Sequence, residues 1–301
     1  MFNIVKLDAL STLQRHFGKF NLIYLDPPFY TQRNFKDFTD KWDNMAEYIA
    51  ILSPIFREAY EHLSDDGALV VHCDYHAVHY IRMALDGIFD EKNFANEFIT
   101  MRAAKNAKNV ARRLFTEEDR LLVFWRTEKG RIVLPPQKPR NPNAAEWAGL
   151  TGGGSGPAMK FGERWIEPRT GRHFSWKQSR INEQWDLGNI RISPNDNVTY
   201  RILSDTITVG TVWNDIPSYA HKHDYSTEKH PELMRRLINM YTKKGDTIGD
   251  FFMGSGVMSV EAVRMGRIYI GSDISVKSIN TTLKRMNELF EAKIDFDPNE
   301  I

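Results

Sequence analysis

Cysteine is almost absent. Cys73 is the only one in 301 residues, so no intrachain disulfide can form and a reducing compartment is permitted. Long apolar runs are missing too. Nowhere do the roughly 18 apolar residues needed to span a bilayer occur together. The opening Met1-Phe2-Asn3-Ile4-Val5-Lys6 has no signal-peptide apolar core, and together these absences predict a cytoplasmic protein with no membrane partner. No internal repeat is visible. The one glycine run, Gly152-Gly153-Gly154-Ser155-Gly156-Pro157, lacks the Lys-Ser/Thr of a phosphate loop and reads as a boundary or flexible linker. A hydrophobic fraction of 42% over this length suffices for one α/β domain plus an insertion.

Net charge is also scarce, at +1, yet it is unevenly spread. Between 101 and 191 eighteen Lys and Arg stand against nine Asp and Glu, a net +9 that leaves −8 for the remainder. A basic stripe on a nearly neutral protein suits a surface that faces nucleic acid. Arg102, Lys105, Lys108, Arg112 and Arg113 follow one another with no acid among them, as phosphate contacts would require. The same run also suits a solvated loop.

Against this background two motifs stand out. The apolar run Leu22-Ile23-Tyr24-Leu25 ends in Asp26-Pro27-Pro28-Phe29, which places a carboxylate beside a carbonyl that cannot rotate away. Such a pair can accept both N–H bonds of an exocyclic amine, drawing its nitrogen towards tetrahedral geometry and freeing the lone pair for attack. The Phe29 ring could stack on a base drawn out of a duplex. Far downstream, Asp246-Thr247-Ile248-Gly249-Asp250-Phe251-Phe252-Met253-Gly254-Ser255-Gly256 reads as a strand running into a glycine-rich turn. A helix from Val257 to Met265 follows, ended by Gly266, and a second strand, Ile268 to Gly271, leads to Asp273. Glycines there let backbone approach a ligand closely, and a carboxylate after the next strand can bind a ribose diol.

Periodicity orders the rest. Met45 to Leu63 has apolar residues at helical spacing, with Pro54 expected to kink or divide it. Ala68 to His72 and Leu121 to Trp125 read as strands, and Ala77 to Ile88, Glu232 to Tyr241 and Ser275 to Phe290 as helices. From Pro135 the texture turns to Pro, Gly, Asn and Trp. Strands alternating with helices on both sides of that stretch imply a mainly parallel sheet. His72, Cys73, His76 and His79, with His221, His223 and His230 elsewhere, have spacings a metal could use. The first group lies at a strand end and helix start, where histidine is commonly packed or capping, and no metal site is expected.

Taken together, the motifs resemble the S-adenosylmethionine-dependent DNA amino-methyltransferases in the permuted, class β order, where Asp-Pro-Pro-aromatic precedes Phe-x-Gly-x-Gly. The resemblance extends to Leu7-Asp8-Ala9-Leu10, to Leu63 through His72, to Trp213-Asn214-Asp215-Ile216 and to Thr227-Glu228-Lys229-His230-Pro231, about two thirds of the chain. It implies a Rossmann-like α/β fold with a mostly parallel sheet in permuted order and an inserted target-recognition region. The expected divisions are a catalytic half over 1–130, a recognition insertion over 131–209 and a cofactor half over 210–301. S-adenosyl-L-methionine is the implied cofactor. The implied roles are Asp26, Pro27, Pro28 and Phe29 at the target base; Asp250, Phe252, Gly254, Ser255 and Gly256 around the donor; Asp273 on its ribose; Lys229 near its carboxylate; and Asp8 near its adenine ring. Double-stranded DNA is the implied partner, with a second copy of the chain and a cognate restriction endonuclease as further candidates. Asp at the first position of the tetrapeptide is the usual N6-adenine form; N4 of cytosine, or DNA binding without turnover, are the alternatives. The chain departs from the family pattern at Phe251, usually Pro, at Val257 and Met258, usually Thr, and at Glu228-Lys229-His230, usually Gln-Lys-Pro.

Overall fold

The structure is a computed structural model that describes residues 1–301 apart from 17, 35–38, 103–115, 140, 142–145, 218–226 and 291–301. Two compact units are present, one formed by Met1–Pro136 with Val209–Ile301 and the other by Gln137–Thr208.

The larger unit is built on eight strands: β1 (Phe2–Val5), β2 (Phe20–Leu25), β3 (Leu63–Cys73), β4 (Phe94–Met101), β5 (Glu118–Trp125), β6 (Val212–Trp213), β7 (Thr247–Asp250) and β8 (Ile268–Ser272). Their order across the sheet is β1-β8-β7-β2-β3-β5-β4-β6. All pairings are parallel except the two made by β5. The central β2 shows why. Leu22 and Tyr24 belong to one hydrophobic cluster and Ile23 and Leu25 to another, so a strand buried on both faces reads as a continuous apolar run. The cluster of Ile23 and Leu25 is covered by α1 (Ala9–Arg15), α2 (Met45–His62) and α3 (Val78–Phe89), through Leu13, Leu52, Phe56, Ile81 and Leu85. The other cluster takes Leu237 and Met240 from α4 (Pro231–Tyr241), Met258 from α5 (Val257–Arg264) and Leu283 from α6 (Val276–Phe290). Contrary to the expectation of a divided helix, α2 runs through Pro54 without interruption. Its buried residues, Tyr48, Leu52, Ile55, Phe56 and Ala59, supply apolar burial that offsets the roughly 3 kcal/mol a mid-helix proline costs.

Because β1, β2, β3, β7 and β8 are parallel, their carboxyl ends share one edge, where ligands bind in open α/β sheets. The antiparallel β5 begins at that edge: Cys73 is opposite Arg120, and Thr100 of β4 opposite Asp119. Asp26, Asp74, Asp119, Phe251 and Asp273 therefore gather there.

The smaller unit has its own core of Leu150, Phe161, Ile166, Phe174, Ile181, Ile190 and Val198. Its glycine run is not a linker. Thr151–Gly153 pairs antiparallel with Arg172–Phe174, and a β-carbon on Gly156 would lie 2.5 Å from that of His173, so small residues are needed where two backbones meet. Trp176 and Trp185 pack on the core, Arg191 lies 3.8 Å from the Trp147 ring centre, and Trp165 is 68% exposed. Among the described residues no helix is long and apolar enough to cross a membrane.

Candidate active site

Asp26 is the first residue beyond β2. Behind it the chain is stiffened by Pro27 and Pro28, whose rings fix the backbone torsion. Tyr48 Oη of α2 donates to the Pro28 carbonyl at 2.6 Å, so the carbonyl that an amine grip would use is that of Pro27. Tyr30 and Gln32 then take φ of 62° and 59°, a left-handed backbone that costs non-glycine residues roughly 1–3 kcal/mol each. Asp40, buried at the foot of this loop, holds the turn. Its Oδ1 accepts from the Tyr30 amide at 2.9 Å and from Trp42 Nε1 at 2.9 Å, and its Oδ2 from the Thr31 amide at 2.8 Å and hydroxyl at 2.7 Å. Four hydrogen bonds to one charged acceptor are among the stronger kind.

Around Asp26 the polar groups form a continuous set. Lys229 Nζ lies 2.9 Å from Asp26 Oδ1 and 4.8 Å from the centre of the Phe29 ring. His72 Nδ1 is 3.8 Å from the same Asp26 oxygen and 2.8 Å from Tyr24 Oη, with its ring 5.5 Å from that of Phe29. On the far side His72 Nε2 faces Asp119 Oδ2 at 3.6 Å. Asp119 Oδ1 pairs with Arg102 Nε at 3.0 Å, and Arg102 also reaches Asp74 at 3.3 Å. Burial pushes the Asp119 carboxyl up, but His72, Lys229 and Arg102 together hold it below the usual carboxylate range.

The glycine-rich loop leaves β7 next door. Phe251 turns into the core, edge-on to Phe20 at 5.6 Å, so this departure from the family pattern does not face the cleft. Phe252, Met253, Gly254, Ser255, Val257 and Met258 line it, together with Tyr24, Asp26, Thr227, Lys229, Met234 and Asp250. Two further departures, Val257 and Met258, are part of its apolar wall. Gly256 has φ of 72°, and a β-carbon there would lie 2.2 Å from Thr282 Oγ1, so only glycine fits. Asp273 supports the loop, its Oδ2 accepting from the Gly254 amide at 2.9 Å and its Oδ1 from the Ser275 amide at 2.8 Å. Ser278 donates to the Gly254 carbonyl at 2.6 Å. Arg285 Nη1 bridges Glu228 at 2.8 Å and the Ser255 carbonyl at 3.1 Å, which gives the Glu228 departure a structural partner.

Asp250 is fully enclosed, and burial first, then the charge of Asp26, pushes its carboxyl well above the usual range. Tyr269 Oη donates to its Oδ2 at 3.3 Å, whereas Oδ1 has no hydrogen-bond partner among the described residues. A buried acceptor left unpaired asks for a donor. An ammonium (Lys229), a buried carboxyl oxygen without a hydrogen-bond partner among the described residues (Asp250) and apolar side chains (Phe252, Val257, Met258) in one cleft match a ligand with an ionised polar end and a less polar portion beside it.

The structure thus brings Asp26, Lys229, Asp250, Phe252, Gly254 and Ser255 into one cleft, with Pro27, Pro28 and Phe29 beside it. Gly256 and Asp273 hold the loop, and Asp273 is not among the lining residues. Asp8 caps α1 by accepting from the Ser11 amide at 2.9 Å, also outside the lining. Of the basic stripe, Arg102 is engaged with Asp74 and Asp119, and Lys105, Lys108, Arg112 and Arg113 lie outside the described residues. Sequence reasoning missed Asp40 and Asp119, and weighed His72 as a metal ligand before reading it as a packed or capping residue. Among the described residues no three His, Cys, Asp or Glu side chains converge as metal ligands.

A family model described as DNA methylase matches residues 20–284. The type II methyltransferase M.EcaI of Enterobacter cloacae is 26% identical over 310 residues, spanning 92% of this chain and 67% of that protein. The probable type III restriction-modification enzyme HindVI Mod subunit of Haemophilus influenzae is 24% identical over 352 residues, and the match to 88% of this chain spans about half of that protein, 47%. Among solved structures, PvuII DNA methyltransferase (cytosine-N4-specific) superposes with a TM-score of 0.57 at 15% identity, covering 100% of this chain and 88% of the other. M1.HpyAVI in complex with S-adenosylmethionine gives 0.51 at 18% identity, covering 95% and 100%. At these identities the superpositions show a shared fold.

Proposed function

The chain belongs to the DNA methylase family, methyltransferases that use S-adenosylmethionine, and from that premise we propose that it methylates N6 of adenine in duplex DNA. The observation behind the choice of base is the tetrapeptide itself: an aspartate, the form usual in adenine enzymes, heads Pro27-Pro28-Phe29 and stands at the carboxyl edge of the sheet in the cleft shared with Gly254 and Ser255.

Bound S-adenosylmethionine supplies a methyl group made electrophilic by its sulfonium. Asp250, Phe252, Gly254, Ser255 and Lys229 are the residues that would hold it. The chain's own work is positioning and electrostatics. A flipped adenine costs a few kcal/mol to unstack, of which stacking on Phe29 returns about 1–3 kcal/mol. Asp26 and the Pro27 carbonyl accept the two N6 hydrogens and orient the nitrogen lone pair. Lys229, which holds Asp26 in this structure, would hold the donor's carboxylate. Asp8 and Asp273 would act on the adenine and ribose sides of the donor from outside the lining, Asp273 chiefly by fixing Gly254. The basic run at Lys105, Lys108, Arg112 and Arg113 meets phosphates, Arg102 being held by Asp74 and Asp119, and the unit at Gln137–Thr208 selects the site. The names of M.EcaI and the HindVI Mod subunit support a place in a restriction-modification system, with a cognate endonuclease and a second copy of the chain as candidate partners.

The test is mass spectrometry of nucleosides from duplex DNA treated with the protein and S-adenosylmethionine. N6-methyladenine is expected; N4-methylcytosine in its place would overturn the choice of base.

A further inference from the structure

The proposed chemistry leaves one proton without a destination. As the nitrogen lone pair forms the N–C bond, the C–S bond breaks with its electron pair staying on sulfur, and the nitrogen is positive until an N–H proton leaves. Asp26 is the first base it meets. On either side of Asp26 Oδ1 is a nitrogen: Lys229 Nζ at 2.9 Å and His72 Nδ1 at 3.8 Å. An ammonium has no lone pair to receive a proton, and an imidazole has one.

His72 is built for that part. It is 1% exposed and stands between Tyr24 Oη, hydrogen-bonded at 2.8 Å from Nδ1, and Asp119 Oδ2, at the ion-pair distance of 3.6 Å from Nε2. The tautomer that uses both neighbours has its proton on Nε2, towards Asp119, and accepts the Tyr24 hydroxyl proton at Nδ1. Its single lone pair is held by the Tyr24 hydroxyl in the resting protein, and Asp26 Oδ1 stands 3.8 Å from the same nitrogen, so a proton arriving from Asp26 displaces that hydroxyl as donor. A movement of the Asp26 carboxylate by about 1 Å brings the two to hydrogen-bond distance.

We infer that His72 receives the proton released by methyl transfer: it passes from the amine nitrogen to Asp26 and on to His72 Nδ1, while the Tyr24 hydroxyl turns from donor to acceptor. The positive charge ends on an imidazolium opposite the Asp119 carboxylate. The groups that face His72 are Tyr24 of β2, Asp26 beyond it and Asp119 of β5, with Lys229 behind Asp26 and Arg102 behind Asp119. His72 acts through Asp26 and touches no substrate. This inference rests on the reading that Asp26 accepts the target amine.

His72→Gln separates the relay from packing, because its amide nitrogen can still donate to Asp119 but cannot take up a proton. Single-turnover methylation of a duplex oligonucleotide should fall by about 10²-fold or more, with S-adenosylmethionine affinity within about twofold of wild type. The wild-type rate should rise with pH through one ionisation that His72→Gln lacks. Asp119→Asn, which keeps the histidine and removes its counter-charge, should move that ionisation to lower pH. Independently of turnover, ¹⁵N-histidine spectra of the resting protein should show His72 protonated at Nε2 and bare at Nδ1. A wild-type rate and pH profile in His72→Gln, an unmoved ionisation in Asp119→Asn, or a resting proton on Nδ1 would each overturn the inference. Asp26→Ala in the same assay keeps the two readings apart. If it stays active, the amine grip fails; if it is dead while His72→Gln behaves as wild type, the relay alone fails.

Discussion

Two loops leave neighbouring strands at one edge of the sheet and are held by opposite means. The loop after β2 restricts its own backbone, with two prolines followed by two left-handed residues, its Pro28 carbonyl held by Tyr48, its Tyr30 and Thr31 amides by Asp40, and Gln32 by the Trp42 backbone. The loop after β7 dispenses with side chains at Gly254 and Gly256 and is gripped from later in the sequence by Asp273, Ser278 and Arg285. A stiff loop suits a group that must aim a reacting atom. A bare backbone suits close approach to a ligand. Similar anchors, a carboxylate accepting backbone amides, can thus serve different parts of one reaction, and damage to each should appear in a different constant.

The largest effect should follow loss of the aim itself. Asp26→Ala is expected to lower the single-turnover methylation rate by about 10²–10³-fold or more, the scale seen when one preorganised partner of a reacting atom is removed. Asp273→Ala should act on the other loop. Losing the Gly254 and Ser275 bonds is expected to weaken S-adenosylmethionine binding by about 1.5–3 kcal/mol, read by titration calorimetry; an unchanged dissociation constant would remove Asp273 from the donor site. Asp40→Asn, which keeps shape but gives up charge, should cost the rate about 1–2 kcal/mol, close to tenfold, while donor affinity holds. An equal loss in donor affinity would mean that the loops are not separate.

A smaller effect tests the electrostatics between them. Burial and Asp26 raise the Asp250 carboxyl well above its ordinary value of 3.8, so the folded state holds this proton more tightly than the unfolded chain does. The stability contributed by Asp250 is then fully present below about pH 3.8 and falls as pH rises through the higher folded-state value. Asp250→Asn cannot titrate. Its thermal midpoint should exceed that of the wild type at pH 8, with the gap closing towards acid, although donor binding is weakened. The smallest effect is in the basic run, where neutralising Arg112 and Arg113 should lower the salt slope of DNA binding by somewhat under one unit for each phosphate they no longer neutralise and leave the methylated site unchanged.

Much of this was legible in the sequence. Both loops, the buried strands behind them and the helices covering the sheet follow from apolar runs, glycine spacing and helical periodicity, because those patterns are local. What stayed hidden depends on distance along the chain. Asp40 could not be assigned to the loop ten residues before it, since nothing in the sequence says that Tyr30 and Gln32 adopt left-handed torsions. Asp119 meets His72 only because β5 runs antiparallel beside β3. Pro54 looked like a break because proline's cost is visible in sequence and the burial that offsets it is not. The glycine run at 152–156 looked mobile for a related reason: its partner strand, with His173, lies some twenty residues on.

The division between the loops is tested most directly by the S-adenosylmethionine dissociation constant of Asp26→Ala, measured by calorimetry beside the wild type. It should not weaken by more than about twofold, since Asp26 meets the target amine rather than the donor and its loss frees Lys229 for the donor's carboxylate. A loss of donor affinity comparable to the loss of rate would contradict that division.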